Sequence, residues 1–194
     1  MTFCAQLLKN SRTTRLTLIT LVIISLLFKL YFIRGNQFAF WFDQARDAHV
    51  SRKILEEQDI KVLGPSASGT NDTVYHGATY YYLIGPLYTI FGGHPFFPSL
   101  ALALLGSLAI IPSFYLAKDI LKNNQFALLF TILLAFSAQL DQLSVWLANP
   151  SLAILPLSLV YFSVWKIFYQ QDHRYWPLLG ISLAISHQSA IWLI

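Results

Sequence analysis

The sequence predicts an all-α protein, a polytopic bundle of transmembrane helices with a large first outer loop that bears interfacial helices. Three observations carry this. Of 194 residues, 56% are apolar and 11% charged, against roughly 25% charged in soluble domains, and mean hydropathy is +0.54. Apolar runs of bilayer-crossing length, about 17–25 residues, recur along the chain. The ionisable residues collect between the first two of these runs. Segment 41–96 holds six of the nine acids (Asp43, Asp47, Glu56, Glu57, Asp59, Asp72) and three of the five histidines (His49, His76, His94).

Taken in order, Lys9, Arg12 and Arg15 precede the first run, 16–33. This run is longer than a signal-peptide core and no small-residue cleavage site follows, so it reads as a signal anchor. In the loop 34–96, residues 43–58 read as a helix with Asp43 as N-cap and Asp47 one turn later on the same side. Residues 61–74 are rich in Gly, Pro, Ser, Thr and Asn and are expected as irregular chain. His76-Gly77 leads into Tyr80-Tyr81-Tyr82, expected as an interface anchor. The short apolar helix 79–91 follows and contains Gly85-Pro86. Further spans are expected at 97–117, 126–147, 151–169 and 176–194. Lipid permits only helices or closed barrels, and these runs lack the strict alternation of barrel strands. The last run has no polar tail, so residues 1–194 are expected to be the N-terminal part of one longer module.

Charge sets the count of crossings. With five spans, the inner segments 1–15, 118–125 and 166–175 hold Lys9, Arg12, Arg15, Lys118, Lys122, Lys166 and Arg174 against Asp119 and Asp172. Counting 79–91 as a crossing would move Lys118 and Lys122 outside. The positive-inside rule therefore favours five spans and a cytoplasmic N-terminus. The loop 34–96, the Asp141 to Asn149-Pro150 turn and the His187-Gln188 end of the last run then share the outer face.

Net charge of +4 is scattered, without the dense Lys/Arg patch that nucleic acid requires. Cys4 is the single cysteine, which excludes an intrachain disulfide and cysteine-based zinc frameworks. No cofactor and no metal ligand set is expected, and a divalent metal stays open. Asp43 and Asp47 are the first candidates for chemistry: carboxylates one turn apart repel, which raises one pKa toward neutrality. The pair reads equally as an N-cap plus a surface salt bridge with Arg46. His76 suits either a phosphate-binding imidazolium, a proton shuttle or a headgroup-level anchor. Asn71 and Asp72 suit a turn cap. Asp141 and Asn149 sit at span ends, where an acid can be solvated. His187 lies inside an apolar run, where an ionisable group faces protein or water. Lys29, near the end of the first run, is expected to snorkel.

Phe42-Asp43-Gln44-Ala45-Arg46-Asp47-Ala48, the Gly64-Pro65 loop and His76-Gly77-Ala78-Thr79-Tyr80-Tyr81-Tyr82-Leu83 together resemble the first outer loop of GT-C glycosyltransferases. The nearest subgroup is the bacterial membrane family related to protein O-mannosyltransferases and aminoarabinose–lipid A transferases. There an Asp-Glu-x-Arg-Tyr-like motif follows the first span, and a Lys-Pro-Pro-x-Tyr-Tyr-like motif comes later. The resemblance implies an enzyme of cell-envelope glycan biosynthesis in a bacterial cytoplasmic membrane. It would move a sugar from a polyprenyl-phosphate donor to an acceptor hydroxyl on lipid, glycan or protein, at the outer face. By this resemblance Asp43 and Asp47 are catalytic candidates, and Arg46 and His76 bind the donor phosphate. Tyr80, Tyr81, Asn149 and His187 are candidates for lining the substrate. Gln44 stands where the motif has its second acid, Asp47 where it has a tyrosine, and His76 where relatives place a lysine.

Elementary chemistry suits such a transfer. Polyprenyl phosphate is a good leaving group whose charge Arg46 or a protonated His76 stabilises. Asp43 is placed to accept the acceptor's proton, with inversion at the anomeric carbon. The reading requires Asp43, Arg46 and His76 to converge on one hollow. Its rivals are a transporter or lipid flippase, with ionisable groups at membrane depth in several spans, and a non-enzymatic membrane assembly protein.

Overall fold

The computed structural model describes residues 11–34, 39–67 and 73–190. Cys4, Lys9, Asn71 and Asp72 lie outside these. The chain is mostly helical: α1 (Ser11–Ile33), α2 (Phe42–Glu56), a two-stranded antiparallel hairpin of β1 (Leu63–Ser66) and β2 (Tyr75–Gly77), α3 (Thr79–Ile90), α4 (Phe96–Leu108), α5 (Ile110–Leu121), α6 (Asn124–Ala135), α7 (Ala138–Val145), α8 (Asn149–Leu152), α9 (Ile154–Val164) with a π-helical turn (Trp165–Tyr169), a 3-10 turn (His173–Tyr175) and α10 (Trp176–Ser189). Among the described residues two helices are long and apolar enough to cross a membrane: Arg12–Ile33, and α4 with α5 as Phe96–Leu121.

Proline places two of the breaks. Pro112 offers no N–H to Leu108, and Pro156 none to Leu152; α4 and α8 end at those residues. A proline ring also crowds the turn before it. The expected span 126–147 is not one helix. It divides into α6 and α7, bent by 53° at Phe136-Ser137, where Ser137 is extended (ψ 112°). Serines from elsewhere take carbonyls at both ends of α7: at the corner Ser25 Oγ donates to Ala135 at 3.3 Å, and at the far end of α7 Ser99 Oγ donates to Val145 at 2.6 Å and Ser151 Oγ to Trp146 at 2.6 Å. Buried carbonyls demand such partners.

Packing sorts the helix ends into two groups. At one end Leu18 of α1 packs with Phe114 and Ala117 of α5 and Ala127 of α6, and Lys166 Nζ meets Asp119 Oδ2 at 2.6 Å. At the other end Ile33, Tyr80, Tyr81, Ile84, Tyr88, Leu102, Val145, Leu147 and Leu152 form one cluster. The polar segment packs there, and Thr79 Oγ1 hydrogen-bonds Gln188 of α10.

Three local expectations are corrected. Trp41, not Asp43, is the residue before the first turn of α2, and its N–H donates to Gln44 Oε1 at 2.9 Å. Segment 61–74 contains β1, with Leu63 opposite Gly77 and Ser66 opposite Tyr75 across an irregularity. Tyr80 and Tyr81 are buried rather than anchored at a surface, because α3 lays them onto the core while only Tyr82 faces out, its hydroxyl donating to Lys61 O at 2.9 Å.

Candidate functional site

α2 presents its polar residues through helical spacing. Gln44, Asp47 and Ser51 face inward and are buried, whereas Asp43 is 67% exposed. Close packing of α3 fixes α2: a Cβ on Gly85 would lie 2.5 Å from Ser51 O, so only glycine allows the approach. Arg46 lies between the two acids. Its Nη1 meets Asp43 Oδ1 at 3.0 Å, and its Nη2 and Nε donate to Asp47 Oδ1 at 2.9 and 3.0 Å. The Tyr81 hydroxyl donates to the same oxygen at 3.3 Å.

The result is a guanidinium pinned from behind by a buried carboxylate and offered forward to an exposed one. Burial first, and Asp43 only last, pushes Asp47 above the ordinary carboxylate range, against the pull of Arg46 and Tyr81. The mutual repulsion read from spacing is thus the minor cause. Asp47 holds Arg46; Asp43 is the acid open to an incoming group. Burial, then the Asp47 charge, raises the Tyr81 phenol, which keeps it a hydrogen-bond donor.

His76 does not join this cluster among the described residues. It lies half-buried on β2, and its Nδ1 has no partner. Burial lowers its pKa, so it is neutral at pH 7 and suits proton transfer rather than phosphate binding as an imidazolium. β2 packs on α10 so closely that a Cβ on Gly77 would sit 2.5 Å from Gln188 Cβ. Tyr80 is buried with its hydroxyl unpaired, and Asn149 is buried with both amide atoms unpaired. His187 is exposed near the end of α10.

Sequence reasoning missed a second charged pair. Lys29 does not snorkel: its Nζ lies 2.7 Å from Asp141 Oδ1, with side-chain exposures of 3% and 1%, and donates to Ser25 Oγ at 2.7 Å. Neither Asp141 oxygen meets hydrogen-bond geometry, so the contact is ionic rather than directional. Asp141 is therefore not solvated at a turn. The available signal was one cation and one acid, each alone in an apolar run, since isolated charges at membrane depth pair with each other.

One cavity borders this pair, and a second lies along α7. The first encloses about 630 Å³, with Lys29 on a wall otherwise dominated by apolar residues of α5, α6 and α9 such as Ile110, Phe130 and Leu157. The second, about 760 Å³, lies between Phe32, Ala39 and α7. Neither is lined by Asp43, Arg46, Asp47 or His76. Among the described residues no group of three or more His, Cys, Asp or Glu is placed to hold a metal ion.

No known family, curated protein or solved structure matches this chain.

Proposed function

We propose that this chain is the catalytic part of a GT-C-type membrane glycosyltransferase, moving a sugar from a polyprenyl-phosphate donor to an acceptor hydroxyl at the outer face of a bacterial cytoplasmic membrane. The chain crosses the bilayer five times in this reading, with its N-terminus cytoplasmic and segment 34–96 outside. Neither cavity is the hollow shared by Asp43, Arg46 and His76 that this reading called for, so His76 is left out of the site. The observation that carries the reading is Arg46 held between buried Asp47 and exposed Asp43. An exposed carboxylate beside a fixed guanidinium is the pairing that inverting transfer from a phosphate ester calls for.

Asp43 accepts the proton of the acceptor hydroxyl as that oxygen bonds the anomeric carbon from the side opposite the phosphate. The bond from carbon to phosphate oxygen breaks, and its electrons leave with the lipid phosphate. Arg46 swings from Asp43 to the departing phosphate while Asp47 keeps hold of its other edge. Tyr80, Tyr81, Asn149 and His187 are the further residues assigned to the substrate's surroundings. The test is transfer from a polyprenyl-phosphate sugar by the full-length protein, wild type against Asp43→Asn. A drop of about 10²–10⁴-fold supports the base role; unchanged transfer removes Asp43 from the mechanism.

A second reading, a transporter or lipid flippase, is favoured by the Lys29–Asp141 pair beside an apolar cavity. Buried ionisable pairs mark substrate and ion pathways in membrane proteins. Substrate or lipid movement in proteoliposomes that needs Lys29 and persists in Asp43→Asn would favour it over the transferase.

A further inference from the structure

The short helix α7 and its C-cap residue Trp146 are sided. Asp141 and Ser144 turn inward and are buried, and the 2.7 Å contact of Asp141 with Lys29 fixes which way they point. Gln139, Gln142 and Trp146, all exposed, line the 760 Å³ cavity together with Leu140, Leu143 and the buried Val145, opposite Phe32 and Ala39. This volume falls within the range of about 300–1,000 Å³ usual for small-molecule sites.

The lining chemistry selects a ligand class. Among the described residues no charged side chain borders the cavity, so none of them there holds a phosphate or carboxylate. A wholly apolar occupant would bury two side-chain amides without partners, which is unfavourable. Each amide carries one acceptor and two donors, and no hydrogen bond to a described residue engages either one. The Trp146 ring stacks on no other ring among the described residues, and its backbone carbonyl is gripped by Ser151 Oγ at 2.6 Å and the Ala148 N–H at 2.9 Å. The indole thus stands on a fixed corner as an apolar plate with a polar edge. Two free amides beside an aromatic plate match a molecule with hydroxyls around its rim and C–H groups on its faces.

We propose that this cavity binds a neutral saccharide, through the amides of Gln139 and Gln142 and the face of Trp146. The proposal rests on the transferase reading and names where its sugar or glycan sits. Ala39 lines the cavity and precedes Asp43 by four residues, so chain reach alone keeps the two Cα atoms within about 14 Å. Lys29 is a positioning residue here, since it orients α7 without touching the cavity's ligand.

The experiment uses the full-length protein in nanodiscs free of sugar-headed detergent, titrated with methyl glycosides of glucose, mannose, galactose, N-acetylglucosamine and arabinose. Binding is read by saturation-transfer NMR and by tryptophan fluorescence, and dodecyl phosphate is the anionic comparison. The proposal expects at least one glycoside to bind, with little dependence on salt. Gln142→Leu and Trp146→Ala should each weaken it about tenfold or more, as for a lost hydrogen bond or stacking contact. Trp146→Phe, which keeps an aromatic plate, should weaken it less and covers the case in which the alanine variant misfolds. Absence of glycoside binding, binding indifferent to these variants, or binding of dodecyl phosphate alone overturns it. If transfer depends on Asp43 and no glycoside binds, the cavity proposal fails and the transferase stands. If glycosides bind through Trp146 but no transfer occurs, the transferase fails and a saccharide site remains.

Discussion

Lys29 of α1 and Asp141 of α7 form a 2.7 Å ion pair with both side chains almost wholly buried. It lies four residues from the end of α1, about 6 Å along the helix axis. A charge pair there ties the first long helix to the lower limb of a bent one.

Removing one partner leaves the other buried and uncompensated. Lys29→Met or Asp141→Leu alone should destabilise the protein by about 3–5 kcal/mol. The double variant should recover most of that loss, because two apolar side chains replace a pair whose desolvation is itself unfavourable. Thermal melts of the four proteins in one lipid composition measure it. Equal destabilisation by the double variant would show that the pair contributes net stability.

Arg46 should resist conservative replacement. Lysine keeps the charge but cannot span Asp43 and Asp47 with separate N–H groups. Arg46→Lys is expected to lower kcat with little change in the donor's KM, since the bonds to the leaving phosphate form in the transition state. Steady-state kinetics with a polyprenyl-phosphate sugar decides this, and a KM rise at constant kcat would make Arg46 a ground-state binder.

The polar segment should carry its own pH dependence. Burial depresses His76 below its ordinary value of about 6.5. The fold then binds fewer protons than the unfolded chain, so stability from this group is present above that value and is lost as pH falls through the lowered pKa. His76→Gln should flatten the melting profile between pH 7 and 5 while leaving the plateau above pH 7 nearly unchanged. An identical slope in the variant would assign the acid sensitivity elsewhere.

Gly85 should tolerate no side chain. A Cβ there would lie 2.5 Å from Ser51 O and 3.1 Å from its carbonyl carbon, both backbone atoms that cannot rotate away. Gly85→Val is expected to part α2 from α3 and cost about 1–3 kcal/mol. Limited proteolysis within 42–56 reads it directly, and protection equal to wild type would refute it.

Much of the helix placement was legible because apolar length acts locally. The breaks before Pro112 and Pro156 need no tertiary information either, yet the expected spans 97–117 and 151–169 ran straight through them. The Asp43-Arg46-Asp47 cluster was legible because i, i+3 and i, i+4 spacing fixes neighbours on a helix. Its inside and outside were not: the burial of Asp47 depends on Tyr81 of α3, 34 residues away. The bend at Phe136-Ser137 escaped notice for a similar reason, having neither Gly nor Pro to announce it and having its Ala135 carbonyl answered by Ser25 of α1, 110 residues away. The Lys29–Asp141 pair joins residues 112 positions apart, and a period-based reading scores each as an isolated defect.

On the membrane reading proposed above, the Ser25 hydroxyl at the α6–α7 corner and the Ser99 hydroxyl at the far end of α7 set an order of assembly. Ala135 and Val145 are buried, and a buried carbonyl left unsatisfied is expensive. Ser25 and Ser99, which answer them, arrive on helices made earlier by the ribosome. The kinked segment therefore leaves the translocon for lipid most easily once its two predecessors wait beside it, and a nascent chain lacking either serine should linger at that gate.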